Sequence, residues 1–487
     1  MRQRAIHVLP ALLLLCAELS LVEAQERGPA GPSEPQVLSL DEAVHLALRN
    51  NLNLMSSADS VASAQISQGL AESRFGVKLT PSFAGGFGSE VGQDRRYGFG
   101  ASKLLPYGAT VTASAASDFA RNEFGNLTAS QLTFTATQPL LRGFGPKSTE
   151  FDLTNAKRSL QSSDRNLEVA RQRLAVEVVA SYYNIVRQQG LIDVAAKSVE
   201  RSQELLRASE ARLEVGLASQ LDVFRAELLL SQAEESLINR EDALELAMDT
   251  FKFNLGLNPE EEVFLETAEP EYQPVVLDIE AQTRLGLANR LEIRDEQERV
   301  QDSVRALSVS RQNLLPQLDL NFRYLRAGLG PTLSDSFDLD QSAVSVFLST
   351  SYAIDQSAER ASVAQTQLEL DAGRRSVRLL EYNITREVRA ACRNVDRIGK
   401  SILLQEKNID FAEKQLRLAG LRYQRGLANN FDIIDAEDNL IAARSNYVSL
   451  VADYNVALIE MKRVTGTLDL HQEFAPDGSV PPARHHP

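Results

Sequence analysis

The histidines and cysteines that could do acid–base, nucleophilic or metal chemistry are few and scattered, and the plentiful carboxylates lie along the predicted helices, as on any charged coiled coil. The five histidines lie at positions 7, 45, 471, 485 and 486, and the two cysteines are Cys16 and Cys392. The chain has no Ser/His/Asp set, no HExxH sequence and no CxxC pair, so nothing supports catalysis. The segment RGFGPKS around Gly145 lacks the spacing of a phosphate-binding loop, and Pro146 removes a backbone donor that such a loop needs. The sequence predicts no enzyme, no cofactor and no metal site.

Two carboxylates do have a suggestive spacing. Asp432 and Asp435 lie three residues apart in FDIIDAE, which places them on one face of a helix. Closely packed carboxylates attract cations and resist simultaneous ionisation. Solvated residues following a helix cap would have the same spacing, so both interpretations stay open at this level.

The segment that contains these aspartates occurs twice. RLEVGLASQLDVFRAE (212–227) and RYQRGLANNFDIIDAE (422–437) align without gaps at an offset of 210 residues and agree at seven of sixteen positions. Each places a glycine-centred turn between two apolar-periodic helix patterns, which is typical of the tip of a helical hairpin. The chain is therefore predicted to be a tandem duplication of one long hairpin.

The arms of these hairpins are unusually long. Residues 148–215 and 359–425 contain no proline, and each would extend about 100 Å at 1.5 Å per residue. The returning arms are predicted at 220–254 and 431–464. A helix of this length cannot bury its apolar stripe on itself, so it must pack against its hairpin partner and neighbouring chains.

Between the helices the apolar period changes to two, which predicts strands. In the second half the alternating segments are 318–324 and 344–354; in the first half they are 83–91 and 132–136, with an additional hairpin at 97–115. One face is apolar and the other carries Ser, Thr, Asn and Arg. A soluble sandwich and a membrane barrel with a wet lumen both fit this pattern, and a barrel would need several chains to close.

Composition and the N-terminus bear on location. The formal charge of −15 over 487 residues argues against nucleic acid as a partner. An apolar run at 8–17 follows two arginines, and Val22-Glu23-Ala24 offers a cleavage site, so we expect an exported protein. Leu15 stands where a lipoprotein would have a small residue before Cys16, which argues against lipidation. Beyond this signal there is no apolar run long enough for a membrane-spanning helix.

These patterns divide the chain into six predicted segments. They are a signal peptide (1–24), a flexible leader (25–37), a first repeat (38–257; strands about 79–138, tip 216–219), a linker (258–276) with a short strand at 263–265, a second repeat (277–468; strands about 316–354, tip 426–430) and a disordered tail (469–487). Ser39 is the predicted N-cap of the first helix, with Glu42 at capping-box spacing.

The order of these features resembles the TolC family of outer-membrane efflux proteins. The resemblance rests on the signal peptide, the opening LSLDEAVHLALRNN with its echo LDIEAQTRLGLANR, the strand pairs between helices, QPLLRGFG (138–145) and the two tips, and it covers residues 38–468. It implies a mainly α fold with β structure, in which helical hairpins form an α-barrel. A transmembrane β-barrel of 12 strands would be completed by trimerisation.

The resemblance also implies a function and partners. The expected protein is a passive exit duct of a tripartite efflux or type I secretion system, with its strands in outer-membrane lipid and its helices in the periplasm of a Gram-negative bacterium. It would work with a periplasmic adaptor protein and an inner-membrane transporter, and the cargo stays open.

Site residues carried over from the family lie near the tips. Asp432 and Asp435 match the narrowest point of the channel, and Tyr423 and Asp222 match a pair that links the hairpins when the gate is shut. Ala428 stands where the best-known members have an arginine that adds links. The tips that would meet the adaptor are Gly216, Leu217, Ala218, Ser219, Gly426, Leu427, Ala428 and Asn429.

Two other classes of protein compete with this interpretation. A periplasmic adaptor also has a helical hairpin, but only one, flanked by small β-domains. A coiled-coil structural protein without a pore would leave the alternating strands and the duplication unexplained.

Overall fold

The computed structural model describes residues 36–88, 92–122, 125–266 and 272–474. The predicted signal peptide and the first part of the predicted leader lie outside these residues. The helices are α1 (Leu40–Asn50), α2 (Leu52–Ser73), α3 (Pro146–Thr149), α4 (Phe151–Glu214), α5 (Gln220–Leu255), α6 (Ile279–Asn289), α7 (Leu291–Gln312), α8 (Leu333–Ser336), α9 (Ser357–Gln424), α10 (Asn430–Val464) and α11 (Leu470–Glu473). The strands are β1 (Gln36–Leu38), β2 (Lys78–Gly88), β3 (Gly92–Leu104), β4 (Thr110–Asn122), β5 (Gly125–Pro139), β6 (Val263–Leu265), β7 (Gln317–Gly330) and β8 (Gln341–Ser351).

Two long helical hairpins dominate the molecule. The 64 residues of α4 return as the 36 of α5, and the 68 of α9 return as the 35 of α10. Each pair packs along its length, and α10 also lies against α4, which joins the hairpins. The predicted duplication is thus confirmed. Among the described helices, none combines the length and apolarity needed to cross a bilayer.

The first repeat opens with two helices where the sequence pattern from Leu38 to Leu54 is continuous. The predicted capping box of Ser39 and Glu42 is present. The helix α1 then ends at Asn50, and the side chain of the next residue, Asn51, accepts from Leu54 N (3.1 Å) and donates to the Asn254 carbonyl (2.9 Å). This asparagine therefore caps α2 and fixes it to the end of α5.

A six-stranded antiparallel sheet interrupts the helices at one end. Its order is β2-β3-β4-β5-β7-β8, so β2 and β8 are its two edges. The first half supplies four strands and the second half two. The resemblance implied 12 strands from three chains, or four per chain, and the sheet has two more because the predicted hairpin at 97–115 is part of it as β3 and β4.

The C-terminal segment corrects the predicted boundary of the tail. Leu470 and Phe474 lie four residues apart, and both side chains are buried in the core formed by α1, α4 and α5. The His45 Nε2 atom lies 2.6 Å from the Phe474 carbonyl oxygen. Residues 469–474 are therefore ordered, and the rest of the predicted tail lies outside the described residues.

The leader and the linker also meet in a short sheet. The predicted strand at 263–265 is present as β6, and it pairs in parallel with β1. Residues 36 and 37, predicted to belong to the leader, are therefore part of a strand. Cys392 is a buried free thiol.

Candidate functional site

The two hairpins turn with the same backbone geometry. Gly216 and Gly426 both have φ of 73°, a left-handed conformation that side chains disfavour. In each tip the residue after the glycine, Leu217 or Leu427, donates to a carbonyl five residues earlier (2.8 Å). These two leucine side chains are 75% and 68% exposed. The predicted tips are therefore tight turns that present an apolar side chain at their ends.

Each tip leads into a capped helix, and the caps use four of the predicted site residues. Ser219 N donates to Asp222 Oδ2 (3.0 Å), and Asn429 N donates to Asp432 Oδ2 (3.3 Å). The donors of Ser219 hold the pKa of Asp222 below its ordinary value. Asp222 and Asp432 thus occupy equivalent positions and close capping boxes. We did not predict this local role.

Asp435 lies one turn beyond Asp432 on α10, and both residues are exposed. The Asp435 Oδ2 atom accepts from Gln415 Nε2 (3.3 Å) on α9. Asp438 follows on the same side of the helix, where burial and the charge of Asp435 raise its pKa. The predicted pair is therefore part of a row of three carboxylates.

Tyr423 connects the two hairpins near their tips. Its ring is 7% exposed and packs beside Leu205 and Leu229. The Arg212 guanidinium lies 3.8 Å from the ring centroid and also donates to the Tyr423 carbonyl. The Tyr423 hydroxyl lies 3.4 Å from Ser209 Oγ.

In this structure the Tyr423 hydroxyl contacts Ser209, whereas the Asp222 carboxylate accepts from Ser219. Asp222 contributes to the hairpin interface through its backbone, because its carbonyl accepts from Asn430 Nδ2 (2.9 Å). The Asp222–Tyr423 link stays a prediction.

An ion pair that the sequence analysis missed also joins the hairpins. Arg201 Nε on α4 lies 2.5 Å from Glu437 Oε1 on α10, and the Glu437 side chain is only 4% exposed. Burial raises the pKa of Glu437, although the charge of Arg201 opposes this shift. One signal could have identified it: Glu437 interrupts the apolar stripe of Ile433 and Leu440, where a carboxylate needs a partner.

Some buried polar atoms at the interface between the hairpins lack a hydrogen-bond partner. A groove of about 330 Å³ lies beside Arg201, Arg212, Tyr423 and Glu437. Within the described residues, Arg201 Nη2 and Asn430 Oδ1 are buried without a hydrogen-bond partner. Unpaired buried polar groups are costly, so part of the stabilisation gained by packing is lost here.

Comparison with known proteins places this geometry in a family. The model of the family described as "Outer membrane efflux protein" matches residues 43–256 and 284–467. The outer membrane protein TolC of Vibrio cholerae is 23% identical over 340 residues, which are 66% of this chain and 74% of that protein. The fusaric acid resistance protein FusA of Burkholderia cepacia is 32% identical over 90 residues, and the aligned part is 18% of this chain and only 17% of FusA.

A solved structure shows the same fold over nearly the whole chain. The outer-membrane channel OprN superposes with a TM-score of 0.68 at 18% identity, covering 92% of this chain and 96% of OprN. At this identity the likeness supports the architecture of two helical hairpins and an antiparallel sheet.

Proposed function

The chain belongs to the outer membrane efflux protein family, and from this premise we propose that it is the outer-membrane exit channel of a tripartite efflux or type I secretion system. The single observation that carries the proposal is a sheet with two free edges mounted on two long helical hairpins. The protein performs no catalysis. An inner-membrane transporter supplies the energy, and cargo moves passively through the channel.

Three copies complete the channel. The edges β2 and β8 carry main-chain donors and acceptors that a lipid environment would leave unsatisfied. Pairing β2 of one copy with β8 of the next satisfies these groups and closes the sheet. The arms α4 and α9 extend about 100 Å from it at 1.5 Å per residue, which carries the tips far into the periplasm.

Neighbouring copies also cover the helices. Along the arms, apolar side chains more than half exposed in the single chain include Leu228, Leu246, Leu404 and Phe411. A helix barrel buries such stripes between adjacent hairpins.

The tips form the gate. Three copies bring Asp432 and Asp435 into two stacked rings of carboxylates, which favour cations and narrow the channel. The capping bond to Asn429 fixes the orientation of Asp432, so the ring position is set by the helix end. The channel opens when α9 and α10 swing away from α4 and α5.

Contacts between the hairpins hold this gate shut. The family resemblance implies that a link between Tyr423 and Asp222 has this role. In this chain the contact of Tyr423 with Arg212 and the ion pair of Glu437 with Arg201 serve the same purpose. These contacts join the two hairpins near the tip in which Ala428 supplies no charged side chain. The unpaired groups of Arg201 and Asn430 reduce the cost of separation.

The tips also meet the adaptor protein. The segments 216–219 and 426–429 stand at the far end of the hairpins, and Leu217 and Leu427 offer apolar anchors there. An adaptor that binds them can separate the hairpins and open the gate.

Single-channel recording in planar bilayers tests this function. We expect cation-selective pores of low conductance, which divalent cations block, and loss of that block in Asp432→Ala/Asp435→Ala. The matched control is Asp222→Ala, which removes the equivalent cap in the first hairpin. Unchanged block in the double variant would remove the gate assignment, and protein that forms no pore and stays in solution without detergent would refute the channel.

A further inference from the structure

The first half of the chain carries a strand hairpin that has no counterpart in residues 272–474, the described part of the second half. It comprises β3 and β4, which pair with each other and, at their outer sides, with β2 and β5. Pairing runs along both strands without a break in register. The hairpin therefore lies inside the sheet, between the strand that follows α2 and the strand that precedes α4.

The hairpin continues both faces of the sheet. Its apolar side chains lie in line with those of the other strands, and Phe83, Tyr97 and Phe119 stack across β2, β3 and β4 with ring centroids 5.1 and 5.6 Å apart. On the opposite face, Ser114 lies directly opposite Thr133. Inserted strands that alternate in step with their neighbours face lipid on one side and water on the other.

The turn between β3 and β4, residues 105–109, is fixed against the segment that leads from β5 into the helices. The Tyr107 carbonyl accepts from Gly145 N (3.2 Å) and from Gln138 Nε2 (3.1 Å). Gly108 has φ of 90°, and a Cβ there would lie 2.7 Å from the Gly143 carbonyl oxygen. Such close backbone approach leaves room only for glycine.

The middle of β4 is linked through β5 to the second half of the chain. Ser117 Oγ on β4 lies 2.9 Å from Ser130 Oγ on β5, which lies 2.7 Å from Ser336 Oγ in the connection between β7 and β8. Ser130 and Ser336 are buried. The hairpin is thus held at its turn and along β4.

We propose that this hairpin sets the width of the outer-membrane pore, which is closed by 18 strands and not by 12. The proposal rests on the trimeric channel proposed above. With strands about 4.8 Å apart and tilted by about 40°, a 12-strand barrel has a diameter of about 24 Å and an 18-strand barrel about 36 Å.

The helices below provide an independent measure of width. Four helices per chain, α2, α4, α7 and α9, lead to or from the sheet. Twelve helices at about 9 Å spacing form a ring about 35 Å across. Six strands per chain match this ring, so the channel need not narrow on entering the membrane. The wider pore admits cargo of larger cross-section than a 12-strand member of the same family.

Disulfide mapping distinguishes a barrel of 18 strands from a barrel of 12. Thr80, Gly100, Ser114 and Thr133 lie opposite one another in succession across β2, β3, β4 and β5. In a Cys392→Ser background, Ser114→Cys/Thr133→Cys joins directly paired positions, whose Cα atoms lie about 5 Å apart. Thr80→Cys/Thr133→Cys joins positions about 14 Å apart, which no disulfide spans.

We expect the trimer in outer membranes to oxidise the 114/133 pair and to leave the 80/133 pair reduced. The reverse result would mean that the hairpin is extruded and that β2 pairs with β5, which overturns the 18-strand wall but leaves the channel intact. Failure to isolate a trimer at all would instead contradict the proposed function.

Deleting residues 92–122 tests the consequence for the pore. The deletion leaves five residues between β2 and β5. In a Glu437→Ala background, introduced to relax the tips, we expect conductance to fall to about half or less, since the barrel diameter follows strand number. The parent Glu437→Ala protein is the control. Equal conductance in a trimer that lacks the hairpin would contradict the proposal.

Discussion

The two hairpin tips have the same backbone conformation but differ in the side chains that they present to each other. Gly216 and Gly426 have the same φ, and a capping box follows each turn. The first hairpin contributes two cations to the interface, Arg201 and Arg212, and the second contributes Glu437 and Tyr423. The residues at offset 210 from these are Phe411, Arg422, Glu227 and Leu213.

This difference separates what builds a tip from what joins two tips. Turn and cap are local, so each copy of the duplicated segment keeps them. Attraction between the hairpins depends on which positions packing brings together: Arg212 and Glu437 have an arginine and a glutamate at the equivalent positions, Arg422 and Glu227, but those two are exposed. The equivalent positions therefore provide matched controls for every contact at the interface.

The largest effect is expected at the buried ion pair. Glu437→Ala leaves Arg201 without its carboxylate, which we expect to destabilise hairpin packing by about 2 kcal/mol, at the low end for such pairs because Arg201 keeps 27% exposure. Single-channel recording should show a several-fold higher open probability. Glu227→Ala, at the exposed equivalent position, should behave as wild type, and equal effects of the two substitutions would refute the asymmetry.

A smaller effect is expected at Arg212. Arg212→Ala removes the cation over the Tyr423 ring and the bond to the Tyr423 carbonyl, a loss of about 1 kcal/mol. Arg422→Ala is the control, because Arg422 is exposed. Protease sensitivity of the tips should rise in the first variant alone. Identical sensitivity in both would show that the stacking contributes nothing.

The pH dependence sharpens the same comparison. Burial raises the pKa of Glu437 when the hairpins are packed, and separation returns it to the ordinary value of about 4.5. Between these two values the packed form binds a proton that the separated form does not. Acidification through this window therefore favours closure, and the contribution is lost as pH rises through the raised pKa.

Glu437→Gln isolates this contribution from other acidic groups. The neutral amide cannot titrate, so the wild-type channel should show a fall in open probability on acidification that the variant lacks. Glu227→Gln should retain the wild-type dependence. Parallel pH profiles for wild type and Glu437→Gln would exclude Glu437 as their source.

The smallest effect is expected from the tyrosine hydroxyl. Tyr423→Phe keeps the ring under Arg212 and removes only the 3.4 Å contact with Ser209, so the change should be below about 0.5 kcal/mol. Tyr423→Leu, which introduces the residue of the equivalent position, should open the channel more. A large effect of Tyr423→Phe would restore the hydroxyl link to Asp222 that the family resemblance implies.

The sequence predicted the repeated parts of this fold better than the contacts between them. Helical period, the absence of proline and the paired glycines are local signals, and they located the arms and tips to within a few residues. The Arg201–Glu437 pair joins positions 236 residues apart, and its existence depends on how two hairpins pack. Ordering of Phe474 likewise depends on a distant core that a window along the chain does not contain.

The sheet lies between these cases. Alternation identified its strands, including the additional hairpin, because each strand has one apolar face. Alternation carries no strand order, so the position of β3 and β4 between β2 and β5 came only from the structure.

Reversible bridging of the hairpins tests the gate most directly. Arg201→Cys/Glu437→Cys in a Cys392→Ser background removes the ion pair and places two thiols across the interface, where a short reducible bismaleimide-type reagent can span them. We predict high conductance before bridging, closure after it and recovery on reduction, with no response in either single-cysteine variant. Conductance that is unaffected by a verified bridge would show that separation of the hairpins does not open this channel.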